Sequence, residues 1–219
     1  MFSRRFLSAP AVALAVLLCA FSLWAAKEFV MPRPENANAY PSKDAHTNEK
    51  VTAAIDVYNA PPKSNVFITP YAEDDILPVF LVITNDGDQP IALTSLRAEL
   101  VTGGRGKLES LTNDDVFRRV AHISGSSTSP QRAGPIPLPG NSKNKKAPKQ
   151  WQEIQAANFA AEAVEPHTTR AGFLFFDVQN VRQPLQGSHI YLTGIKDASG
   201  TELMYFDIPV IASNAATVQ

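Results

Sequence analysis

Short runs of alternating hydrophobic and polar residues fill most of the chain after residue 50, and this pattern is typical of β-strands. Residues 79–84 (VFLVIT) are rich in β-branched and aromatic side chains and predict a strand, as do residues 51–59. Residues 168–178 (TTRAGFLFFDV) are apolar at both alternating sets of positions. They predict a central strand that is covered on both faces.

Two further segments add strands with irregularities. Residues 90–102 alternate, but the parity of the apolar positions shifts between Leu93 and Leu96, which indicates a bulge or kink. Residues 189–208 predict a hairpin, with strands over 189–196 and 201–208 and a turn at residues 197–200.

Helical signals are few. Residues 112–120 (TNDDVFRRV) predict a short helix, in which Thr112 caps the N-terminus, Asp115 completes a capping box, and Arg118 and Arg119 lie in the last turn. Residues 151–163 (WQEIQAANFAAEA) have a helix-forming composition, although their second half equally fits the start of a strand.

Many short strands with polar turns and few helices predict an all-β fold, an antiparallel Ig-like β-sandwich with one or two short helices. We expect one domain over residues 51–212, with a long irregular insertion at 103–163. Residues 27–50 are polar, contain proline and lack periodicity, so they are interpreted as a linker or an arm. Residues 213–219 are expected to be a disordered tail.

Two motifs in this order resemble exported bacterial Ig-like and telokin-like domains. An apolar strand ends in the turn TNDGDQPI at residues 84–91, and VEPHTTRAGFLFFDV follows much later, at residues 164–178. The resemblance covers roughly residues 51–102 and 164–210, and the segment between them departs from it. It implies a β-sandwich that acts as a binding module of uncharacterised function.

The N-terminus predicts export. Arg4 and Arg5 precede a nearly continuous apolar run over residues 8–26, which is the pattern of a secretory signal peptide. A signal peptide over residues 1–26 is the favoured interpretation, and the alternative is an uncleaved membrane anchor over residues 8–26. The protein is then periplasmic or extracellular. The single cysteine, Cys19, lies inside this run, so a processed chain has no disulfide.

Charge narrows the range of partners. Without Arg4 and Arg5 the chain has 18 basic and 21 acidic residues, because the whole sequence has 20 and 21. No strong positive field exists to attract nucleic acid, so we expect no nucleic-acid partner. An unidentified protein or polymer of the cell envelope is the expected partner, and contact with the membrane is expected only through the N-terminal segment.

Motifs for common chemistries are missing from the sequence. The chain has no G-x-S-x-G motif for a nucleophilic serine, and its four histidines do not show metal-binding spacing. We therefore expect no catalytic residues, no cofactor and no transition-metal site. The protein is interpreted as a non-enzyme.

One acidic turn is a candidate cation site. Asn85, Asp86 and Asp88 carry oxygens of the kind that calcium prefers, and Asp74 and Asp75 are candidates to join them from a neighbouring loop. EF-hand spacing is absent. A tight turn between strands is the favoured interpretation, because Asn, Asp and Gly are the residues that turns use.

Asp177 and Asp207 follow aromatic strand segments and are candidates to point from neighbouring strands to one surface, although alternation favours solvated faces for both. Two carboxylates in one cleft are the requirement of a glycosidase. A small hydrolase or glycan-active enzyme that uses Asp177, Asp207 or His167 is therefore the alternative function. His167 and His189 are also expected to be able to approach each other across a sheet edge.

The candidate partner-binding segment lies between residues 122 and 151. It combines GPIPLPG, which favours polyproline II conformation, with a group of lysines beside a tryptophan. An acidic partner, an anionic membrane surface and a cell-wall polymer all fit it, and a protease-inhibitor-like binding loop is a further alternative. The candidate residues are Pro135, Pro137, Pro139, Lys143, Lys145, Lys146, Lys149 and Trp151.

Overall fold

A computed structural model describes residues 28–122 and 148–211, and this part of the chain is mostly antiparallel β-sheet with two α-helices. The predicted signal peptide or anchor, Pro135, Pro137, Pro139, Lys143, Lys145 and Lys146, and the predicted tail lie outside the described residues. The coarse prediction of a β-rich, antiparallel fold is confirmed.

The first sheet has four strands in the order β1-β2-β3-β8. They span Ser42–His46 (β1), Val51–Val57 (β2), Ile76–Asn85 (β3) and Thr168–Asp177 (β8). The run that predicted a strand at residues 79–84 therefore lies within a longer strand, all ten residues of which are buried. β3 pairs with β2 on one side and with β8 on the other, so β3 is central to this sheet.

The second sheet has four strands in the order β10-β9-β5-β6. They span Arg97–Val101 (β5), Lys107–Glu109 (β6), His189–Thr193 (β9) and Phe206–Pro209 (β10). Two short strands, Ile91–Ala92 (β4) and Ala163–Val164 (β7), form a separate two-stranded pair. The helices span Asn113–Val120 (α1) and Lys149–Ala157 (α2), and three 3-10 helices span Ala37–Ala39, Lys63–Val66 and Tyr71–Asp74.

Both four-stranded sheets contribute to one hydrophobic cluster, the first core. Alternate residues of β2, β3 and β8 meet side chains of β5, β9 and β10 there, which is what period-2 alternation requires of strands that bury one face. Its members include Ile55, Leu81, Phe176, Leu100, Ile190 and Phe206.

The opposite face of the first sheet is also covered, by the second core. Phe80, Phe173 and Phe175 project from this face and pack against Val116 of α1 and Ile154 of α2. The Phe80 and Phe173 ring centroids lie 5.0 Å apart. This second layer explains why β3 and β8 are apolar at consecutive positions.

The structure corrects the interpretation of residues 27–50 as a linker or arm. Ser42–His46 form β1, which pairs with β2 over its whole length. The strand was hidden in the sequence because its burial pattern is mostly polar and half-exposed, with only Ser42 buried. Edge strands with such side chains are common, since polar residues discourage pairing with other molecules.

The predicted irregular insertion at residues 103–163 is largely regular where it is described. It contains β6, both helices and the first residue of β7, and it supplies Val116 and Ile154 to the second core and Phe159 to the first. The predicted α1 helix is confirmed, with the Thr112 side chain accepting a hydrogen bond from the Asp115 N–H. Residues 151–163 satisfy both interpretations, because α2 ends at Ala157 and β7 follows.

β8 lies at the end of its sheet rather than at the centre, which corrects the prediction for residues 168–178. Residues 172–176 are nevertheless buried on both faces, as predicted, whereas residues 168–171 are half-buried or exposed. Its free edge is covered by irregular chain: Leu111 and Phe159 donate backbone hydrogen bonds to Phe175 and Phe173, at 2.7 Å and 2.9 Å. Helix-connecting segments thus take the place of a neighbouring strand.

Two local predictions change in detail. The expected bulge near Leu93 is a full break, because β4 ends at Ala92 and β5 begins at Arg97. The hairpin prediction is correct in its antiparallel pairing of β9 with β10, but the ordered ladder stops at Thr193 and resumes at Phe206. Between them, the turn is held by Asp197 Oδ1, which accepts from the Ser199 and Thr201 N–H groups.

Candidate functional site

Asn85, the first candidate cation ligand, has a structural role that uses its whole side chain. It is 1% exposed and ends β3. Its Nδ2 donates to the carbonyls of Gln89 and Val164, at 2.8 Å and 3.1 Å, and its Oδ1 accepts from the Gly87 N–H at 2.9 Å. The side chain therefore ties the end of β3 to β7 and shapes the turn.

Asp86 and Asp88 point to different partners rather than to a shared centre. The Asp86 carboxylate accepts from the amides of Asn36 and Asn38, at 3.4 Å each. Asp88 pairs with Lys50 at 3.4 Å and with His167 Nε2 at 3.2 Å. Among the residues described, no group of three or more His, Asp or Glu side chains is arranged to hold a metal ion.

Asp177 lies at the end of β8 and is engaged by α1. Arg119 makes a two-pronged ion pair with it, with Nη1 2.6 Å from Oδ1 and Nη2 on Oδ2, and the Gln179 N–H donates to Oδ1 at 2.9 Å. The predicted position of Arg119 in the last helical turn brings its charge to this carboxylate. The group fastens α1 to the first sheet.

Asp207 belongs to the outer face of the second sheet, where β9 and β10 pair. His189 Nδ1 lies 2.7 Å from its Oδ1, and the Tyr191 hydroxyl donates to its Oδ2 at 3.2 Å. Loss of hydration, followed by the hydrogen bond and negative charge of Asp207, raises the pKa of Tyr191. Tyr191 is half-buried and is not a member of either core.

The two carboxylates do not come together as the alternative function requires, and neither do the two histidines. Asp177 pairs with Arg119, Asp207 with His189, and His167 with Asp88. The two carboxylates belong to strands of different sheets, and the two histidines have different acidic partners. The structure brings none of these pairs together in one cleft.

A cavity of about 810 Å³, here called the Trp151 cavity, opens where the two helices meet the end of the sheets. Its floor is the first core, through Leu93, Phe159 and Leu174. Its walls come from the break between β4 and β5, the start of α1, and α2 with the segment that follows it. The volume lies in the range of small-molecule sites, about 300–1,000 Å³.

Polar side chains line the walls of this cavity. Side-chain amides come from Asn113, Gln155 and Asn158, and carboxylates come from Asp114 and Glu162. Asn113 Oδ1 is buried and has no hydrogen-bond partner among the residues that the structure describes. Because this oxygen has almost no accessible surface, it lies behind the wall rather than in the open part of the cavity.

α2 is held in place by a buried carboxylate on its opposite side. Glu153 is 2% exposed and accepts hydrogen bonds from the backbone N–H groups of Ile68 and Thr69, the latter at 3.1 Å. The nearby Tyr71 hydroxyl has a raised pKa because of burial and the charge of Glu153. This anchor fixes the orientation in which α2 presents Trp151 and Gln155 to the cavity.

Two members of the predicted partner-binding group are described, and they line different clefts. Trp151 lines the large cavity, and its ring contacts Phe117 edge-on with centroids 5.3 Å apart. Lys149 lines a smaller cleft of about 280 Å³ together with Glu28 and Phe29. The structure does not bring Lys149 and Trp151 to one described site.

The cavity residues other than Trp151 were missed in the sequence, although a signal exists. Trp151, Gln155 and Asn158 are spaced i, i+4 and i+7, which places them along one side of a helix. A polar stripe that begins with a tryptophan is unusual for a face packed on a core. The contribution of Asn113 has no such signal, because it depends on the packing of α1 against α2.

Comparison with protein-family models, curated proteins and solved structures found no match to this chain. Within residues 28–122 and 148–211, no helix has the length and apolar character needed to cross a membrane.

Proposed function

We propose that the protein is an exported, non-catalytic binding module of the bacterial cell envelope, built on an Ig-like β-sandwich. The two four-stranded sheets, which share the first core, would be the two layers of that sandwich. The basic and apolar pattern of residues 1–26 supports export. The observation that supports a binding function is the Trp151 cavity.

The cavity supports binding because it combines a fixed apolar floor with polar walls. Leu93, Phe159 and Leu174 are at least nine-tenths buried, so the floor is part of the rigid core. Three side-chain amides, those of Asn113, Gln155 and Asn158, belong to the wall. Concave apolar sites with a few converging polar groups are the usual form of a ligand site.

The other functions find less support. A hydrolase would need two of Asp177, Asp207 and His167 in one cleft, and each of these has a separate ion-pair partner. A protease-inhibitor-like loop and the partner-binding loop both concern residues 122–150, most of which lie outside the described residues. Deleting residues 124–148 and comparing the captured partners tests the loop proposal.

Site-specific photo-cross-linking in intact cells tests the binding function. A diazirine amino acid replaces Ala160, an exposed residue at the cavity, in the full chain. The matched control places the same amino acid at Ala39, which is exposed in a 3-10 helix and is not among the residues lining this cavity. We expect an adduct at Ala160 alone, in the envelope fraction. Absence of an adduct, or equal adducts at both positions, would defeat the proposal.

A further inference from the structure

The chemistry of the Trp151 cavity is specific enough to select a ligand class. We propose that the cavity binds a neutral saccharide, with Trp151 as the stacking surface and the amides of Asn113, Gln155 and Asn158 as hydrogen-bonding groups. This inference rests on the proposed binding function and assigns a ligand class to its site.

The charge of the cavity wall selects against anions. Asp114 and Glu162 are its charged side chains, and no Lys or Arg belongs to the described lining. A phosphate, a uronate or a carboxylate-rich polymer would meet like charge here without a cation to offset it. An acidic envelope polymer is therefore not the ligand of this cavity.

The amide groups distinguish a hydroxylated ligand from a cationic one. Each side-chain amide offers a carbonyl acceptor and two N–H donors, and each sugar hydroxyl both donates and accepts. A cationic amine only donates, so it would leave unused the amide N–H groups of Gln155 and the second N–H of Asn158, whose first donates to the Phe159 carbonyl at 3.4 Å. With Asn113 as the third amide of the lining, this wall suits a ligand that donates and accepts at once.

Trp151 supplies the apolar contact that a pyranose ring requires. One side of a sugar ring is lined by C–H groups, and such a surface packs on the face of an aromatic ring. Phe117 meets Trp151 at an interplanar angle of 73°, so the contact is edge-to-face rather than stacked. Phe117 therefore does not stack in parallel on the indole.

Calorimetric titration of the full-length protein tests the ligand class. The probes are neutral cello-, malto- and N-acetylated chito-oligosaccharides, with an oligogalacturonate as the anionic probe and spermidine as the cationic probe. We expect saturable binding of at least one neutral oligosaccharide and none of the charged probes. Binding of spermidine or the oligogalacturonate in place of a neutral sugar would overturn the inference, as would no binding by any neutral sugar.

Variants of Gln155 and Trp151 locate the bound sugar. Gln155→Ala removes an exposed amide from the cavity, and we expect it to raise the Kd about tenfold, the effect of losing roughly 1.4 kcal/mol. Gln152→Ala is the matched control, since Gln152 lies on the same helix but lines the smaller cleft. Trp151→Phe keeps a ring and should weaken binding less than Trp151→Ala. Equal affinity of Gln155→Ala and the unaltered protein would overturn the assignment to this cavity.

The failure of this inference is distinguishable from the failure of the proposed function. An Ala160-specific adduct that is not a saccharide would overturn the ligand class and leave the binding function in place. Absence of both an adduct and sugar binding would remove both proposals.

Discussion

Asn85 determines how the chain leaves the first sheet, because its amide serves three backbone groups at once. We expect Asn85→Asp to lower the free energy of unfolding by about 3 kcal/mol. The new carboxylate would be buried against two carbonyl oxygens that have lost their donor. Urea denaturation followed by circular dichroism measures the change.

The exposed neighbour provides the control for this substitution. Asp86→Asn changes a surface side chain and should alter stability by no more than about 0.5 kcal/mol. A cation site predicts the opposite sign for Asn85→Asp, since a further carboxylate strengthens calcium binding. Recovery of stability on adding calcium chloride would therefore contradict the turn interpretation.

Tyr58 makes the free energy of unfolding depend on pH in the alkaline range. Burial, followed by the negative charge of Asp56, raises its pKa to about 12, from about 10 in the unfolded chain. The neutral hydroxyl contributes to the free energy of unfolding. This contribution is fully present below pH 10 and is lost as the pH rises through about 12. We expect Tyr58→Phe to reduce the fall in unfolding free energy over this window. Denaturation at a series of pH values measures it, and an identical fall in both proteins would contradict the assignment.

Single residues also show which features of the candidate site can be predicted from the sequence. The Asn85 turn was predictable because Gly87 and Gln89 lie within four positions of it. The partners of Asp177 and His167 are 58 and 79 positions away in the chain, so no local pattern specifies them. Only the packing of distant elements decides whether two carboxylates meet, and here it separates them.

Gly172 controls how closely irregular chain covers β8. A Cβ atom at this position would lie 2.5 Å from Phe159 Cα and 3.0 Å from the Asn158 carbonyl oxygen. We expect Gly172→Ala to lower the free energy of unfolding by about 2 kcal/mol, because the facing atoms are backbone and cannot rotate away. Chemical denaturation measures the loss, and the displaced segment should also weaken ligand binding in the Trp151 cavity.

A matched glycine separates this effect from ordinary backbone entropy. Gly104 lies in an exposed turn, where an added Cβ meets only Thr102 Oγ1, at 3.9 Å. Gly104→Ala should therefore change stability by at most about 0.5 kcal/mol. If Gly172→Ala were as stable as the unaltered protein, the segment at residues 158–159 would not be closely packed on β8.

At the scale of elements, the hydrophobic pattern predicts whether a strand is buried better than it predicts which elements lie beside it. The apolar residues on both faces of β8 correctly indicated two covered faces. They could not reveal that β8 ends its sheet, because its edge is covered by backbone at Leu111 and Phe159 rather than by a strand. β1 was missed for the opposite reason, since a polar edge strand has no hydrophobic alternation to detect.

Across the whole molecule, β1 joins the two sheets by side chains instead of a backbone ladder. Asp44 accepts a hydrogen bond from the Asp207 N–H at 2.9 Å, and Ser42 accepts one from the Ile211 N–H at 3.0 Å. The His46 ring stacks on Phe206, a member of the first core, with centroids 3.9 Å apart. The edge of the first sheet is thereby fastened to the edge of the second.

Removal of this strand is the test at that scale. We expect a chain that begins at residue 47 to have a Tm at least about 10 °C below that of a chain beginning at residue 28, because it exposes β2 and leaves β10 unfastened. Differential scanning calorimetry measures both.

The full-length double variant Ser42→Ala/Asp44→Ala retains the strand and loses only the two hydrogen bonds that fasten it to β10 and Ile211. Its Tm should therefore fall by less than the Tm falls when the strand is removed. Equal Tm values for the two shortened chains would mean that residues 28–46 are an arm on a domain that is complete without them.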